Sequence, residues 1–370
     1  MKSNITFYLK GLIIVTLLLL PNVIRADDND ILPVRGFCIA APAPAEVDRF
    51  VKFIEEELAP RNVNVLILRV DYRYQYKSHQ ELVGNNPLSK SEVRKLVRTC
   101  RKNKIRIIPQ VNLLGHQSWH STPSRLLEVY PEFDETPDVE LPEDYTWPNK
   151  DGLYCKSYCP LHPDVHSVVF DIVDEICKAF CADAFHAGMD EVFYIGMDQC
   201  ERCKGKDRSE LFAGEVSKIR DHLAKKDREL WIWGDRLLDG ETTGLGMWEA
   251  SKNDTYRAVD MIPDDVFICD WHYTRADPTP VYFAVKGLNV AACPYKSVAT
   301  GTGHVENMVH FRSISHRKMK DRLQGVIQTV WSGCGNFMDE YYGNEYDPEF
   351  SESACFIATF ERINSISEVE

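Results

Sequence analysis

Two carboxylates stand side by side at Asp190 and Glu191, near the end of a mostly apolar run from Ala182 to Val192 that also carries His186 and Gly188. Like charges on neighbouring residues each disfavour the other's ionisation. General acid–base chemistry can use such a pair, because it needs one carboxyl protonated and the other ionised. If 183–190 is a strand, alternation puts His186, Gly188 and Asp190 on one face. Glu191 joins them only if the strand ends at Asp190 and the chain turns across its mouth. Gly188, with no side chain, is expected to leave room for a ligand beside Asp190. The bland alternative is a surface acidic pair after an ordinary core strand.

The elements that must position this pair alternate along the chain. Strands are read at Val34–Ala40, Val63–Val70, Ile105–Val111, Ala182–Asp190, Glu229–Trp233, Val266–Asp270, Leu288–Cys293 and Gly325–Trp331. Several are nearly continuous apolar runs, as strands covered on both faces should be. Helical spacing of apolar residues marks Glu46–Leu58, Val165–Phe180 and Ser209–Lys226. Ser89 with Glu92 three residues on has the spacing of a capping box. A stretch of roughly 113–160, rich in Pro, Trp and acidic residues, reads as a long functional loop.

Eight strand–helix units imply an α/β chain folded as a (β/α)8 TIM barrel. A doubly wound open sheet is the competitor, but no glycine-rich phosphate fingerprint follows any strand. Polar and aromatic residues gather at the predicted strand ends: Asp71, Asn112, His116, Asp190, Glu191, Trp233, Asp235, Asp270, Trp271, Tyr273, Tyr295 and Trp331. Barrel active sites lie at that end. Trp233, Trp248, Trp271 and Trp331 offer flat apolar faces for a sugar ring, with carboxylates and amides to take its hydroxyls.

The spacing His186-x-Gly188-x-Asp190-Glu191 resembles the active-site strand of the family 20 glycoside hydrolases, the β-N-acetylhexosaminidases. Arg35-Gly36 is similar to the opening of that family's first barrel strand. Ile107 to His116, ending Leu114-Gly115-His116, is similar to its third strand and the histidine near the acid. The resemblance covers about 34–335. It implies a retaining, substrate-assisted hydrolysis of terminal β-linked GlcNAc or GalNAc. Asp190 is expected to hold the sugar's acetamido N–H and stabilise the oxazolinium-like intermediate. Glu191 is expected to protonate the leaving oxygen and then deprotonate water, helped by an ionised neighbour that disfavours its own ionisation. His116, His186, Trp233, Asp235, Trp248, Trp271, Tyr273 and Trp331 are the expected substrate-binding residues.

Three departures accompany the likeness. Ala41-Pro42-Ala43-Pro44 stands where the family carries a sugar-gripping arginine, Trp331-Ser332-Gly333 where it has Trp-x-Glu, and Tyr273-Thr274-Arg275 where it has Tyr-x-Asp. Arg69, Asp71 and Asp235 are candidates to take over the missing arginine's role. A barrel that binds or cleaves a different sugar is therefore a second reading. A metal-dependent hydrolase using His116, His186 and Asp190 is a third, with no His-x-His or His-Glu-x-x-His spacing behind it.

Lys2 and Lys10 precede an apolar run, Leu12 to Leu20, then Pro21 and Ala26 before Asp27-Asp28-Asn29-Asp30. That is the layout of a secretory signal peptide over 1–26, with an uncleaved anchor as the alternative, and roughly ten apolar residues fall short of the ~20 that span a bilayer. An exported chain, periplasmic or extracellular, is expected. A single catalytic barrel over 27–370 follows, with no separate N-terminal accessory domain. Of the 370 residues 44% are hydrophobic and the formal net charge is −13, with mean hydropathy −0.31. Those values describe a globular chain unsuited to nucleic acid or anionic membranes, so the expected partner is a neutral glycan or glycoconjugate. No cofactor or catalytic metal is expected. Twelve cysteines in an exported chain suggest some disulfides of unknown pairing, alongside free structural cysteines. Cys155/Cys159 with Cys200/Cys203 also leaves a four-cysteine zinc site open.

Overall fold

Eight parallel strands close on themselves, each hydrogen-bonded to its neighbours in sequence and the last to the first. The structure, a computed structural model, describes residues 31–140 and 155–367; the expected signal peptide and residues 141–154 of the long loop lie outside them. The strands are β1 (Val34–Ala40), β2 (Val65–Arg69), β3 (Arg106–Leu113), β4 (Ala184–Gly188), β5 (Glu229–Trp233), β6 (Phe267–Trp271), β7 (Asn289–Cys293) and β8 (Leu323–Thr329). The barrel expectation therefore holds and the open sheet is excluded.

Alternation sorts each strand into two apolar layers. On β1, Phe37 and Ile39 face outward and pack with Phe50, Phe53 and Phe356 from the helices, while Val34 and Cys38 face the axis. Val65, Ile67, Ile108, Ala184, Trp231, Trp233, Phe267, Cys269, Trp271, Ala291, Cys293 and Ile327 complete the inner layer. Both faces of each strand are buried, which is why the strands read as continuous apolar runs. The same parity carries inward-facing Arg69, Asn112, His186 and Trp271 toward the axis at the strands' C-terminal ends.

The outer ring includes α1 (Val47–Phe53), α2 (Lys90–Lys102), α3 (Val165–Phe180), α4 (Arg208–Ala224), α5 (Thr279–Lys286), α6 (Val298–Ile314), α7 (Cys334–Gly343) and α8 (Glu352–Ser367). Glu46–Leu58 is helical as expected, although its second half widens into a π turn, Ile54–Leu58. The Ser89–Glu92 box forms: Ser89 Oγ accepts from Glu92 N at 3.3 Å and Glu92 Oε2 accepts from Ser89 N at 2.6 Å. α4 starts earlier than expected because Asp207, rather than Ser209, accepts from its first free N–H groups. Between β5 and β6 the chain makes only 3-10 turns, Asp235–Leu237 and Thr255–Asp260.

Two irregularities shape the mouth. The register between β3 and β4 slips between Gln110 and Leu113. The long loop after β3 carries a two-stranded hairpin, Ser118–Trp119 with Thr122–Pro123, and a short helix, Arg125–Val129.

Candidate active site

β4 ends at Gly188, two residues before the strand end read from the sequence. Gly188, Met189 and Glu191 then adopt positive φ of 68°, 67° and 49°. This left-handed turn swings two consecutive side chains, Asp190 and Glu191, into the same cavity, which strict alternation would forbid. Non-glycine residues in this conformation are strained and gather at functional sites. Asp71, Leu114 and His116, at the ends of β2 and β3, share it. Gly188 serves a different purpose from the one expected. A Cβ there would lie 2.3 Å from Asn112 Oδ1, so the space is taken by Asn112 rather than left for a ligand.

The cavity has a volume of about 660 Å³ and opens at the C-terminal ends of the strands, within the range typical of small-molecule sites. Asp190 and Glu191 line it, 5% and 9% exposed. His116 Nε2 lies 3.0 Å from Asp190 Oδ2 and 3.4 Å from Glu191 Oε2. On its other side, His116 Nδ1 meets Cys155 Sγ at 3.3 Å, and that thiol reaches Glu191 Oε2 at 3.5 Å. Burial opposes the charge on both His116 and Asp190, but their mutual attraction and hydrogen bond prevail. The imidazole's pKa is held well above its ordinary value and the carboxyl's below. Burial keeps Cys155 a neutral thiol, its pKa raised to about 12. Asp190 Oδ1 is buried and has no hydrogen-bond partner among the described residues. One carboxylate oxygen is thus anchored, and the other is left to accept from a ligand.

A buried ion pair fixes this turn from below. Asp235 Oδ2 accepts from Glu191 N at 2.9 Å and from Arg236 Nε at 2.7 Å, and Oδ1 accepts from Trp271 Nε1 at 3.2 Å. Burial raises the Asp235 pKa, and Arg236 opposes that. Arg236 also donates through Nη2 to the carbonyls of Met247, Trp248 and Ala250 at 2.7, 3.0 and 2.6 Å. It therefore holds the loop that presents Trp248 and Glu249 to the cavity.

Aromatic side chains form the wall. Trp248 packs edge-on to Phe193 at 4.9 Å, and Trp271 lies 4.9 Å from Tyr273. Trp331 donates through Nε1 to the Tyr273 hydroxyl at 2.7 Å, and the Arg69 guanidinium sits 4.5 Å over the Trp331 ring. Trp119, on the hairpin, is 55% exposed at the rim.

Glu249 is oriented by a second charge relay. Its Oε2 lies 3.0 Å from His272 Nδ1, and His272 Nε2 lies 3.1 Å from Asp270 Oδ1. Burial alone would discharge His272, but Asp270 and then Glu249 outweigh it and place its pKa at about 10. His304, whose Nε2 lies 3.2 Å from the His272 carbonyl, is lowered to about 4 by burial and by that charge. A histidine with a raised folded-state pKa gives stability below its unfolded value of ~6.5, lost as pH climbs through the folded one. Unfolding free energy is thus expected to fall between pH ~6.5 and about 10. The profile of His272→Gln should be flatter over that window; an identical slope in the two proteins, by urea titration, would remove the charge from His272.

Of the residues expected from sequence, the structure brings Asp190, Glu191, His116, Trp248, Trp271, Tyr273 and Trp331 into the lining. His186, Trp233 and Asp235 sit behind it. His186 accepts from Gly188 N at 3.0 Å and lies 4.5 Å from Trp233, whose indole is wholly buried and 5.6 Å from Trp331. Inward parity was correct for His186 and Trp233, but they occupy a deeper layer of the barrel. His186 does not converge with His116 and Asp190 as a metal triad needs. Among the three candidates for the missing arginine, only Arg69 lines the cavity; Asp71 accepts from Asn112 N at 2.9 Å instead. Glu352, from α8, accepts from the backbone N–H groups of Trp331 and Ser332, so a distant carboxylate braces the loop that lacks Trp-x-Glu.

Trp119, Glu249 and Cys155 were not anticipated as site residues. The neighbouring Trp248 was the one available pointer to Glu249, and the length of the loop after β3 the pointer to Trp119. No pair of the twelve cysteines is joined, so of the two expectations the free structural cysteines hold and the disulfides do not. Nor do the two cysteine pairs unite, since Cys155 belongs to the cavity.

Residues 66–334 match the family model for the glycosyl hydrolase family 20 catalytic domain. A lacto-N-biosidase of Bifidobacterium bifidum is 21% identical over 84% of this chain and 26% of its own length. Human hexosaminidase D is 20% identical over 75% of this chain and 52% of its own. The chain spans about half or less of these curated relatives. A chitobiase structure from Flavobacterium johnsoniae superposes with a TM-score of 0.60 at 17% identity, covering 91% of this chain and 51% of that one. At that identity the likeness bears on the fold alone.

Proposed function

The chain belongs to glycosyl hydrolase family 20, and from that membership and the cavity we propose a β-N-acetylhexosaminidase-type glycosidase that removes terminal β-linked GlcNAc or GalNAc with retention. The observation that carries the reading is the turn at Gly188–Glu191, which aims two adjacent carboxylates into one aromatic-walled cavity and leaves Asp190 Oδ1 without a hydrogen-bond partner among the described residues.

Adjacent residues cannot flank a glycosidic bond as the ~5–9 Å pair of an ordinary two-carboxylate glycosidase does. A sugar whose own 2-acetamido group is the nucleophile needs no such pair. The carbonyl oxygen attacks the anomeric carbon as the leaving oxygen departs. Asp190, held ionised by His116, accepts the acetamido N–H through Oδ1 and balances the positive charge of the oxazolinium ring. Tyr273, whose oxygen already accepts from Trp331, has its own proton to give to the acetamido oxygen. Glu191 supplies the proton to the leaving oxygen. It then takes one from the water that opens the ring from the face the leaving group vacated, so configuration is retained. Trp248, Trp271 and Trp331 supply apolar faces to the ring, and Arg69 and Glu249 offer a donor and an acceptor to its outer hydroxyls.

The deciding experiment compares an aryl N-acetyl-β-glucosaminide with the matching β-glucoside. Hydrolysis of the acetamido sugar alone, blocked by a thiazoline mimic of the intermediate, is the expected result. Equal rates on both sugars would sink substrate assistance. No turnover of either, with glycan binding intact, would favour the second reading of a barrel altered toward another sugar.

Export is part of the proposal and rests on the basic, apolar and small-residue layout of 1–26. N-terminal sequencing of the protein recovered from its native host should find a start near Asp27, and an intact Met1 would overturn it. Among the described residues, no helix is long and apolar enough to cross a membrane.

A further inference from the structure

Away from the cavity, four side chains converge with nothing in the proposed chemistry to occupy them. Glu135 and Cys159 come from the loop after β3, and Cys200 and Cys203 from the loop after β4. One ligand atom from each lies within 4.8 Å of all the others. Cys159 Sγ is 3.4 Å from both Cys203 Sγ and Cys200 Sγ. Zinc–sulfur bonds of ~2.3 Å in a tetrahedron put sulfurs about 3.8 Å apart, whereas a disulfide needs ~2.05 Å. The observed spacing is close to the tetrahedral edge.

Glu135 provides the second, independent observation. It is wholly buried. Its Oε1 accepts from Met197 N at 3.1 Å, and its Oε2 has no hydrogen-bond partner among the described residues. A buried carboxylate oxygen facing three sulfurs is costly unless something positive sits between them. The backbone is arranged for the same end. Cys203 N and Lys204 N both donate to the Cys200 carbonyl, at 3.1 and 2.8 Å, closing a tight Cys-x-x-Cys turn.

We propose that Glu135, Cys159, Cys200 and Cys203 form a structural zinc site that pins the loop after β3 to the loop after β4. Three soft thiolates and one carboxylate complete a tetrahedron with no open position, the pattern of a structural rather than a catalytic ion. Each thiol gives up its proton to solvent as its Zn–S bond forms, and Glu135 binds as the carboxylate. The two pinned loops are those that carry Cys155 and His116 on one side and Glu191 on the other.

The test is metal analysis of the full chain, purified from zinc-supplemented medium without chelators. About one zinc per chain is expected, lost in Cys159→Ser and Cys200→Ser and weakened in Glu135→Gln. It should be retained in Cys155→Ser, which separates this site from the His116–Cys155–Glu191 group. Should the serine variants fail to fold, cobalt exchanged into the wild type decides: intense tetrahedral d–d bands with thiolate charge-transfer absorption support the site. Wild-type protein without metal, its thiols either open to alkylation or joined as a Cys159–Cys203 or Cys159–Cys200 disulfide, would overturn it.

Discussion

Glu191→Gln is expected to lower kcat on an aryl N-acetyl-β-glucosaminide by about 10²–10⁴-fold, the range that general acid–base groups contribute. The amide keeps the size of the acid, and the backbone N–H of residue 191 still donates to Asp235, so the turn should survive. What is lost is the transferable proton. The loss should therefore depend on the leaving group. An unactivated glycan, whose departing oxygen must be protonated, should suffer most. An aryl glycoside with an acidic phenol needs little help to leave, and its glycosylation step should be nearly spared, exposing the slower attack of water as the new limit. A uniform loss in kcat/KM across leaving groups would point to disturbed binding instead, and undiminished activity on a glycan would take Glu191 out of the proton transfer.

The second large effect is on stability. Arg236 and Asp235 have side chains 1% and 0% exposed, so solvent does not screen them. Removing one partner of a buried pair typically costs 3–5 kcal/mol, because the other charge is left uncompensated. Arg236→Met should fall in or above that range, roughly 3–5 kcal/mol by urea titration, since it also strips the donor from the carbonyls of Met247, Trp248 and Ala250. Adding Asp235→Asn to Arg236→Met removes the stranded charge and should recover part of the loss. A cost below ~1 kcal/mol, the level of an exposed pair, would mean that water reaches the site. Activity should fall as well, because the same loop carries Trp248 and Glu249 into the cavity.

What could be read from the chain divides along physical lines. β1 and β5 were legible to the residue because both faces of a barrel strand are apolar, with Pro33 and Pro42 punctuating the first and Arg228 and Gly234 bounding the second. Asp190 and Glu191 were legible because adjacency is a sequence property, although the turn that makes both usable depends on three left-handed residues that no periodicity announces. Depth along the barrel axis was not legible. Strand parity says which side chains point inward, but not whether they reach the mouth, and so Trp233 and His186 were expected at the ligand while Arg69 was one candidate among three. Loop residues were least legible. Glu249 is placed by Arg236 and His272, and Cys155 by His116, contacts between segments far apart in sequence. The cysteine spacing was visible, yet a buried glutamate, not Cys155, completes the cluster of Cys159, Cys200 and Cys203.

The left-handed turn after β4 has a consequence for how this barrel can diverge. With Asp190 and Glu191 on successive residues, their Cα atoms ~3.8 Å apart, the separation between the group that would grip the sugar's C2 substituent and the group that would protonate its glycosidic oxygen is bounded by covalent geometry. Breathing of the barrel, or drift in the helices around it, changes the cavity's width but not that interval. The outer wall has no such guarantee, since Arg69, Trp119 and Glu249 arrive on three separate segments. Mutational drift can therefore retune tolerance at the far side of the ring and along the aglycone while the proposed 2-acetamido requirement stays in place, like a gauge block in an adjustable vice.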